Sequence, residues 1–134
     1  MIKLIRSCSR LLKIKADTTE LPSEPGDYDV ITIPGGAKGA ATLSESKPVQ
    51  ELLKKFATKG KYIGAICAGS LAIKTAGLIT GGSITSHPSV EKEFNQYVYS
   101  HKRVVVHDHV VTSRGYHSVG PVAKLDLGLL LNGA

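Results

Sequence analysis

The chain has 134 residues, of which 42% are hydrophobic and 21% are charged, as expected for a globular protein with a core. No apolar stretch approaches the roughly 18 residues that cross a bilayer, so we expect no membrane partner. The net charge is +6, but two Phe, five Tyr and no Trp provide few rings for stacking on bases, so we expect no nucleic-acid partner. Two cysteines are too few for a disulfide framework and favour a reducing compartment.

The N-terminal part of the chain combines a strand candidate with a loop. The segment SCSRLLKIK (7–15) predicts a short strand, and residues 16–29, rich in Pro, Gly and acids, predict a loop. Five basic residues and no acidic residue precede Asp17. This composition is also typical of a mitochondrial presequence, which is the alternative to an opening strand.

Two apolar runs predict buried parallel strands, VITI (30–33) and YIGAI (62–66). Between them, KPVQELLKKFATKG (47–60) has apolar residues at i, i+3, i+4 and i+7, which predicts an amphipathic helix. Pro48 suits its first turn, and Gly60 follows its end.

The remaining elements continue the alternation of helix and strand. They are a short helix after Cys67 that runs through Ala76, a strand within 81–86, a helix starting within 87–97, two strands joined by a tight turn within 103–113, a loop at 114–121 and a final helix at 122–134. Gly77 is a natural left-handed cap for the short helix. The alternation predicts one α/β domain over residues 1–134 with a mainly parallel sheet.

Cys67 lies in AICAGSLA, where a strand passes directly into a helix. A free cysteine is often simply a small buried hydrophobic residue. Here the small neighbours allow the sharp turn of a nucleophile elbow, and the carboxyl end of the strands is where α/β sheets bind ligands. The following helix N-terminus favours a thiolate. We therefore predict that Cys67 is a nucleophile.

Residues that follow two other strands could lie beside Cys67 at the same edge of the sheet. Gly35 and Gly36 follow the strand VITI, and their N–H groups could stabilise an oxyanion beside Cys67, although an ordinary loop is the alternative. His87 in TSHP follows a later strand, and imidazole acts as general acid or base near neutral pH. We predict a catalytic or cysteine-supporting role for His87, provided that the strands are adjacent.

The pair His107 and His109 has the i, i+2 spacing that faces one side of a strand. Two ligands are too few for a zinc site. We therefore predict a solvated hairpin turn and no metal.

The motifs YDVITIPGG, GAKGAATLSES, AICAGSLA, TSHP and VVTSRG, in this order, resemble the PfpI superfamily. The chain is most similar to the DJ-one branch, which includes the parkinsonism-associated deglycase and related fungal glyoxalases. The resemblance runs from about Ser7 to the end. It implies a flavodoxin-like, class I glutamine-amidotransferase-like fold with a mainly parallel sheet.

The resemblance also implies roles for individual residues. The oxidation-prone nucleophile of the family falls on Cys67 and its histidine on His87. Its arginine near the active site and dimer contact falls on Arg10. The oxyanion-hole positions fall on Gly35, Gly36 and the amide of Ala68.

Two positions narrow the branch of the superfamily. Protease-like members have a histidine directly after the cysteine, where this chain has Ala68, so peptidase chemistry is not expected. Amidotransferases have a glutamate two residues after the histidine. This chain has Ser89 there, so glutamine hydrolysis is not expected.

The chain also departs from the family pattern. Family members begin with a βαβ segment that supplies a glutamate to the cysteine, and this chain has no counterpart before Ser7; Glu20 and Glu24 do not match that motif. Tyr116 and His117 replace a Pro-Gly pair beside the pocket. We therefore expect a chain lacking the first βαβ segment, with part of the family's dimer surface missing, poor solubility and reduced activity.

The function implied by the resemblance is that of a glutathione-independent glyoxalase (D-lactate dehydratase) or a deglycase that acts on methylglyoxal or its adducts, or of a low-activity remnant of such an enzyme. The expected partner is a small aldehyde, with no cofactor, in the cytoplasm or nucleus. The alternative is a non-catalytic oxidative-stress sensor or holdase-like protein whose Cys67 is oxidised to a sulfinate.

Overall fold

The computed structural model describes residues 5–7, 13–15, 18 and 20–115. Its elements, in chain order, are β1 (Ile5–Ser7), β2 (Lys13–Lys15), β3 (Val30–Ile33), α1 (Ala37–Glu45), α2 (Lys47–Thr58), β4 (Tyr62–Ile66), a 3-10 helix (Cys67–Gly69), α3 (Ser70–Ala76), β5 (Ser83–Ile84), a second 3-10 helix (Pro88–Phe94), β6 (Val98–Tyr99), β7 (Val104–His107) and β8 (Val110–Ser113).

A four-stranded sheet with the order β3-β4-β8-β7 forms the centre of the described structure. β3, β4 and β8 are parallel, and β7 pairs antiparallel with β8 through the hairpin. The prediction of an α/β fold with a mainly parallel sheet is confirmed. β5 and β6 form a separate parallel pair, and β5 contacts β7 at the edge of the central sheet.

The helices α2 and α3 cover one face of the sheet. Apolar side chains from α2 and α3 pack there against Ile63 and Ala65 of β4 and Ile33 of β3. Gly60 and Gly77 follow the two helices with φ of 67° and 66°, so both predicted glycine ends are confirmed. The strand ends next to α3 therefore belong to a well-packed core.

β3 differs from the prediction of a strand buried on both faces. Ile33 is buried, but Thr32 is exposed, and Val30 and Ile31 are half-buried. Within the described residues β3 has a strand neighbour on one side only, whereas β4 lies between two strands and is buried from Tyr62 to Ala65.

The predicted single strand at 7–15 is wrong in its detail. The structure has two short antiparallel strands, with Ile5 opposite Lys15 and Ser7 opposite Lys13. Because the two described strands run in opposite directions, residues 7 and 13–15 cannot belong to one continuous strand.

Helix α1 has no counterpart among the predicted elements. Its sequence AKGAATLSE has a single buried residue, Ala40, and therefore little apolar periodicity. The helix nevertheless packs against α3, where Ser44 hydrogen-bonds Thr75.

The helix predicted after His87 is a 3-10 helix over Pro88–Phe94. Phe94 fills the core, and Val90 and Tyr97 pack around it, as the apolar spacing indicated. The spacing alone did not distinguish a 3-10 from an α-helix.

Some predictions fall on residues outside the described ranges: Arg10, the loop with Tyr116 and His117, and the final helix. In the part of the chain that the structure covers, no helix is long and apolar enough to cross a membrane.

Candidate active site

Cys67 follows the last residue of β4 with a left-handed backbone, φ 62°. The chain passes through the 3-10 helix at Cys67–Gly69 into α3 without a loop. A left-handed conformation costs an ordinary residue about 1–2 kcal/mol, so the surrounding structure must hold it. The strand, the strained cysteine and the helix together have the geometry of the predicted nucleophile elbow.

Close backbone approach explains the glycines around this elbow. A side-chain carbon on Gly35 would lie 2.7 Å from Cys67 Cβ and 3.3 Å from its Sγ. A side-chain carbon on Gly69 would lie 2.7 Å from the carbonyl oxygens of Ile33 and Pro34. The turn after β3 therefore packs directly against Cys67, and no other residue type fits at Gly35 or Gly69 without a shift.

The other two predicted oxyanion-hole residues lie in the same two turns. Gly36 has φ 95°, which favours glycine, and its carbonyl accepts a hydrogen bond from Ala40 N at 2.8 Å as α1 begins. Ala68 directly follows Cys67 and is buried. The structure thus brings Gly35, Gly36 and Ala68 to the same edge of the sheet.

His87 reaches this edge through its backbone. Its N–H donates to Cys67 O at 3.2 Å. Its side chain is exposed and caps the 3-10 helix, because Nδ1 accepts a hydrogen bond from Ser89 N at 3.1 Å and lies 2.7 Å from Ser89 Oγ. With Nδ1 as acceptor, the neutral ring carries its proton on Nε2.

The thiol of Cys67 is half-buried and free. Within the described residues it has no hydrogen-bond partner, so the imidazole of His87 lies at the same edge without bonding the sulfur. Catalytic hydrogen bonds often form only when substrate is bound, so His87 stays a candidate acid or base.

Of the two acids named in the sequence analysis, Glu20 and Glu24, the carboxylate of Glu24 is paired with lysines. Glu24 pairs with Lys55 at 2.7 Å and Lys59 at 3.6 Å on the surface of α2. The hydrogen bond from Lys55 is the main cause that lowers the pKa of Glu24. Glu24 therefore stabilises the loop against α2 rather than serving Cys67.

The turn at 107–109 is a hairpin turn, as predicted. Asp108 has φ 52°, His107 Nδ1 accepts a hydrogen bond from Ser83 N at 3.3 Å, and the His109 ring lies 4.9 Å from that of Tyr62. His107 is half-buried, so the turn is only partly solvated. In residues 20–115 and the shorter described pieces, no three potential metal ligands cluster.

Sequence reasoning missed a polar group beside His87. The Tyr99 hydroxyl hydrogen-bonds the carbonyl and hydroxyl oxygens of Ser86, at 3.1 and 2.9 Å, and the Arg114 guanidinium lies over the Tyr99 ring. The motif VVTSRG places Arg114 at the end of a strand, which was a usable signal. The identity of the neighbouring strand and the stacking on Tyr99 require the fold.

These features define a flavodoxin-like α/β protein with a cysteine at a nucleophile elbow. The model of the DJ-1/PfpI family matches residues 3–123, and the chain belongs to this family.

Relatives and solved structures agree with this membership. The chain is 40% identical over 112 residues to the Parkinson disease protein 7 homolog of Danio rerio, covering 81% of this chain and 59% of the relative. It is 40% identical over 120 residues to the glutathione-independent glyoxalase DJ-1 of Schizosaccharomyces pombe, covering 79% and 62%.

Among solved structures, Schizosaccharomyces pombe DJ-1 matches with a TM-score of 0.81 and 37% identity, covering 98% of this chain and 71% of that one. Oxidized Toxoplasma gondii DJ-1 matches with a TM-score of 0.84 and 34% identity, covering 96% and 70%. The chain spans between 51% and 62% of the length of the first curated relatives.

Proposed function

We propose that the protein is a glutathione-independent glyoxalase of the DJ-1 type, with Cys67 as the nucleophile. The observation that carries the proposal is the strained Cys67 at the carboxyl end of β4, held by the glycine turn after β3. The names of two relatives, from Schizosaccharomyces pombe and Caenorhabditis elegans, as glutathione-independent glyoxalases support the reaction class.

The proposed reaction converts methylglyoxal and water to D-lactate. The Cys67 thiolate adds to the aldehyde carbon and forms a hemithioacetal. A proton leaves this carbon and another reaches the neighbouring carbon through an enediol, which produces a thioester. Water then hydrolyses the thioester, releases lactate and regenerates the thiol, so no oxidant or cofactor is consumed.

The surrounding residues have separate roles in this scheme. The N–H groups of Gly35, Gly36 and Ala68 would stabilise the oxyanion that forms when sulfur attacks. His87, through the nitrogen not bonded to Ser89, would transfer protons between carbon and oxygen. Arg10 remains a proposed anion-binding or dimer-contact residue from the family resemblance.

The test is methylglyoxal consumption and D-lactate formation by the wild type, Cys67→Ser and Cys8→Ser. We expect turnover in the wild type and in Cys8→Ser, and none above background in Cys67→Ser. Equal turnover in the wild type and Cys67→Ser would remove Cys67 from the mechanism. A deglycase activity would appear instead as release of a free amine or thiol from a methylglyoxal adduct.

A second function is an oxidative-stress sensor in which Cys67 is oxidised to a sulfinate. A half-buried free thiol in a strained turn favours it. Peroxide treatment followed by mass spectrometry of the Cys67 peptide tests it. Oxidation at Cys67 without methylglyoxal turnover would favour the sensor, and a holdase would instead suppress aggregation of a client protein.

The proposed cellular location for either function is the cytoplasm or the nucleus. The alternative is the mitochondrion, which the basic N-terminal composition favours. The proposed partner is a small aldehyde, and the homodimer common in the family is the proposed assembly.

A further inference from the structure

Arg114 has a buried polar atom that the described protein does not satisfy. Its Nη1 is fully buried without a hydrogen-bond partner within the residues that the structure describes. A buried guanidinium N–H is costly to leave unpaired, because its hydrogen bonds to water are lost. Such a group in a folded protein requires an explanation, such as a functional role, a water or an ion.

The fold brings Arg114 close to the proposed nucleophile. Ile66 of β4 and Ser113 of β8 are register partners, and both strands run in the same direction. Cys67 and Arg114 are the next residues in each strand, and neighbouring strands lie about 4.8 Å apart. Both residues therefore stand at the same carboxyl edge of the sheet.

A chain of contacts fixes the Arg114 side chain at this edge. Its guanidinium carbon lies 5.9 Å from the centroid of the Tyr99 ring, and the Tyr99 hydroxyl hydrogen-bonds Ser86, the residue before His87. The N–H of His87 in turn donates to Cys67 O. The cation is thus tied through Tyr99 and Ser86 to the two proposed catalytic residues.

The acid that is connected to Tyr99 through His101 is already paired. Glu91 lies 2.8 Å from Nε2 of His101, whose ring contacts the Tyr99 ring edge-on. No described carboxylate forms an ion pair with Arg114. A planar guanidinium matches the geometry of a carboxylate, to which it donates two parallel hydrogen bonds.

We propose that Arg114 binds the carboxylate of a small 2-hydroxy or 2-oxo acid in the candidate active site. This inference rests on the proposed function, since the product of that reaction, lactate, carries such a carboxylate beside the sulfur. It extends that function because the site then accepts acids such as glyoxylate, in addition to neutral 2-oxoaldehydes, and is inhibited by its own product.

An NMR titration that measures D-lactate binding to the Cys67→Ser variant tests the inference without any turnover. Adding Arg114→Gln to that background should raise the Kd of D-lactate about ten- to hundred-fold, as expected for a lost hydrogen bond between charged groups. Hydroxyacetone, a neutral molecule of similar size, should bind both proteins with Kd values within about two-fold of each other, because it presents no charge to Arg114.

Two further variants control for folding. Arg114→Lys keeps the charge but loses the planar fork, so its Kd should lie between the other two. Arg103→Gln removes an exposed arginine whose carbonyl accepts from Arg114 N, and it should leave D-lactate binding unchanged.

Two results would overturn the inference: no D-lactate binding to Cys67→Ser, or equal binding with and without the Arg114 guanidinium in folded proteins. Neither result depends on methylglyoxal turnover. Conversely, an Arg114-dependent D-lactate site in a wild-type protein without turnover would support the inference and contradict the glyoxalase function.

Discussion

Cys67 and Asp108 have nearly the same unusual backbone at opposite ends of the central sheet. Their φ angles are 62° and 52°, and they are the non-glycine residues with positive φ in the described part of the chain. Asp108 is exposed in the hairpin turn, where Asp adopts this conformation readily through local hydrogen bonding. Cys67 has no such local compensation and is held by the packed turn containing Gly35.

The difference shows that backbone strain alone does not mark a functional site. At Asp108 the turn needs the conformation, and the residue type supplies it at little cost. At Cys67 the strain is maintained by β3, β4 and α3 together, which is the situation in which strain accompanies function. The following predictions test this contrast between the two ends of the sheet, from the largest expected effect to the smallest.

His87 and His109 lie at the two ends of the central sheet, and their alanine variants should differ in methylglyoxal turnover. His87→Ala should reduce methylglyoxal turnover by about 10²–10⁴, the usual cost of losing a general acid or base. His109→Ala, at the exposed hairpin end, should leave turnover unchanged. Steady-state assays with a check of thermal unfolding measure both; an unaltered rate in stable His87→Ala would remove His87 from the mechanism.

Gly35→Ala tests the packing that holds Cys67. The new methyl group would meet Cys67 Cβ at 2.7 Å, and such overpacking costs about 1–3 kcal/mol in the free energy of unfolding. Turnover should fall with it, because the elbow must shift.

Gly39→Ala is the control for this change, since a methyl group there faces open space within helix α1. Urea denaturation should show Gly39→Ala as stable as the wild type or slightly more stable. If Gly35→Ala equalled Gly39→Ala in stability and turnover, the close approach of Gly35 to Cys67 would not be required to hold the elbow.

The strain itself can be compared through Gly and Ala variants at both positions. Cys67→Gly should be more stable than Cys67→Ala, and Asp108→Gly more stable than Asp108→Ala, each by about 1 kcal/mol, because glycine adopts positive φ without a Cβ clash. Both changes at position 67 should abolish turnover, and neither change at position 108 should affect it. Unequal stability differences would mean that one backbone is less strained than its φ suggests.

The smallest effect concerns the surface pair of Glu24 and Lys55. The lowered pKa of Glu24 means that its ionised form stabilises the fold at pH values above the carboxyl's ordinary pKa. This contribution is lost as the pH falls through the lowered pKa. Glu24→Gln should therefore reduce the urea midpoint slightly near neutral pH and leave it unchanged in strong acid, and an equal loss at both would point to a non-ionic cause.

Much of the fold could be predicted from local sequence, because the relevant signals are local. The runs VITI and YIGAI, the periodic helix between them and the glycine ends all correspond to described elements. Helix α1 was missed because its burial depends on contact with α3 and not on an apolar repeat. The exposure of Thr32 was missed because it depends on how many strands flank β3.

The site was predictable in part for the same reason. The strand-to-helix junction at Cys67 and the glycines after β3 are visible as short patterns. The Ser89 contact of His87 and the stacking of Arg114 on Tyr99 arise from side-chain geometry and strand register. Neither leaves a pattern that a single sequence reveals.

The parallel pairing of β4 with β8 also has a consequence for synthesis on the ribosome. The β7–β8 hairpin pairs segments that are neighbours in sequence. β4 can pair with β8 only after residues 67–109, which separate the two strands, have been synthesised. At roughly 5–20 residues per second, Cys67 emerges on the order of seconds before the strand that brings Arg114 beside it. During that interval the thiol is a side chain of an incomplete sheet, open to oxidants and electrophiles. In the nascent chain Cys67 therefore lacks the neighbours that half-bury it in the folded structure.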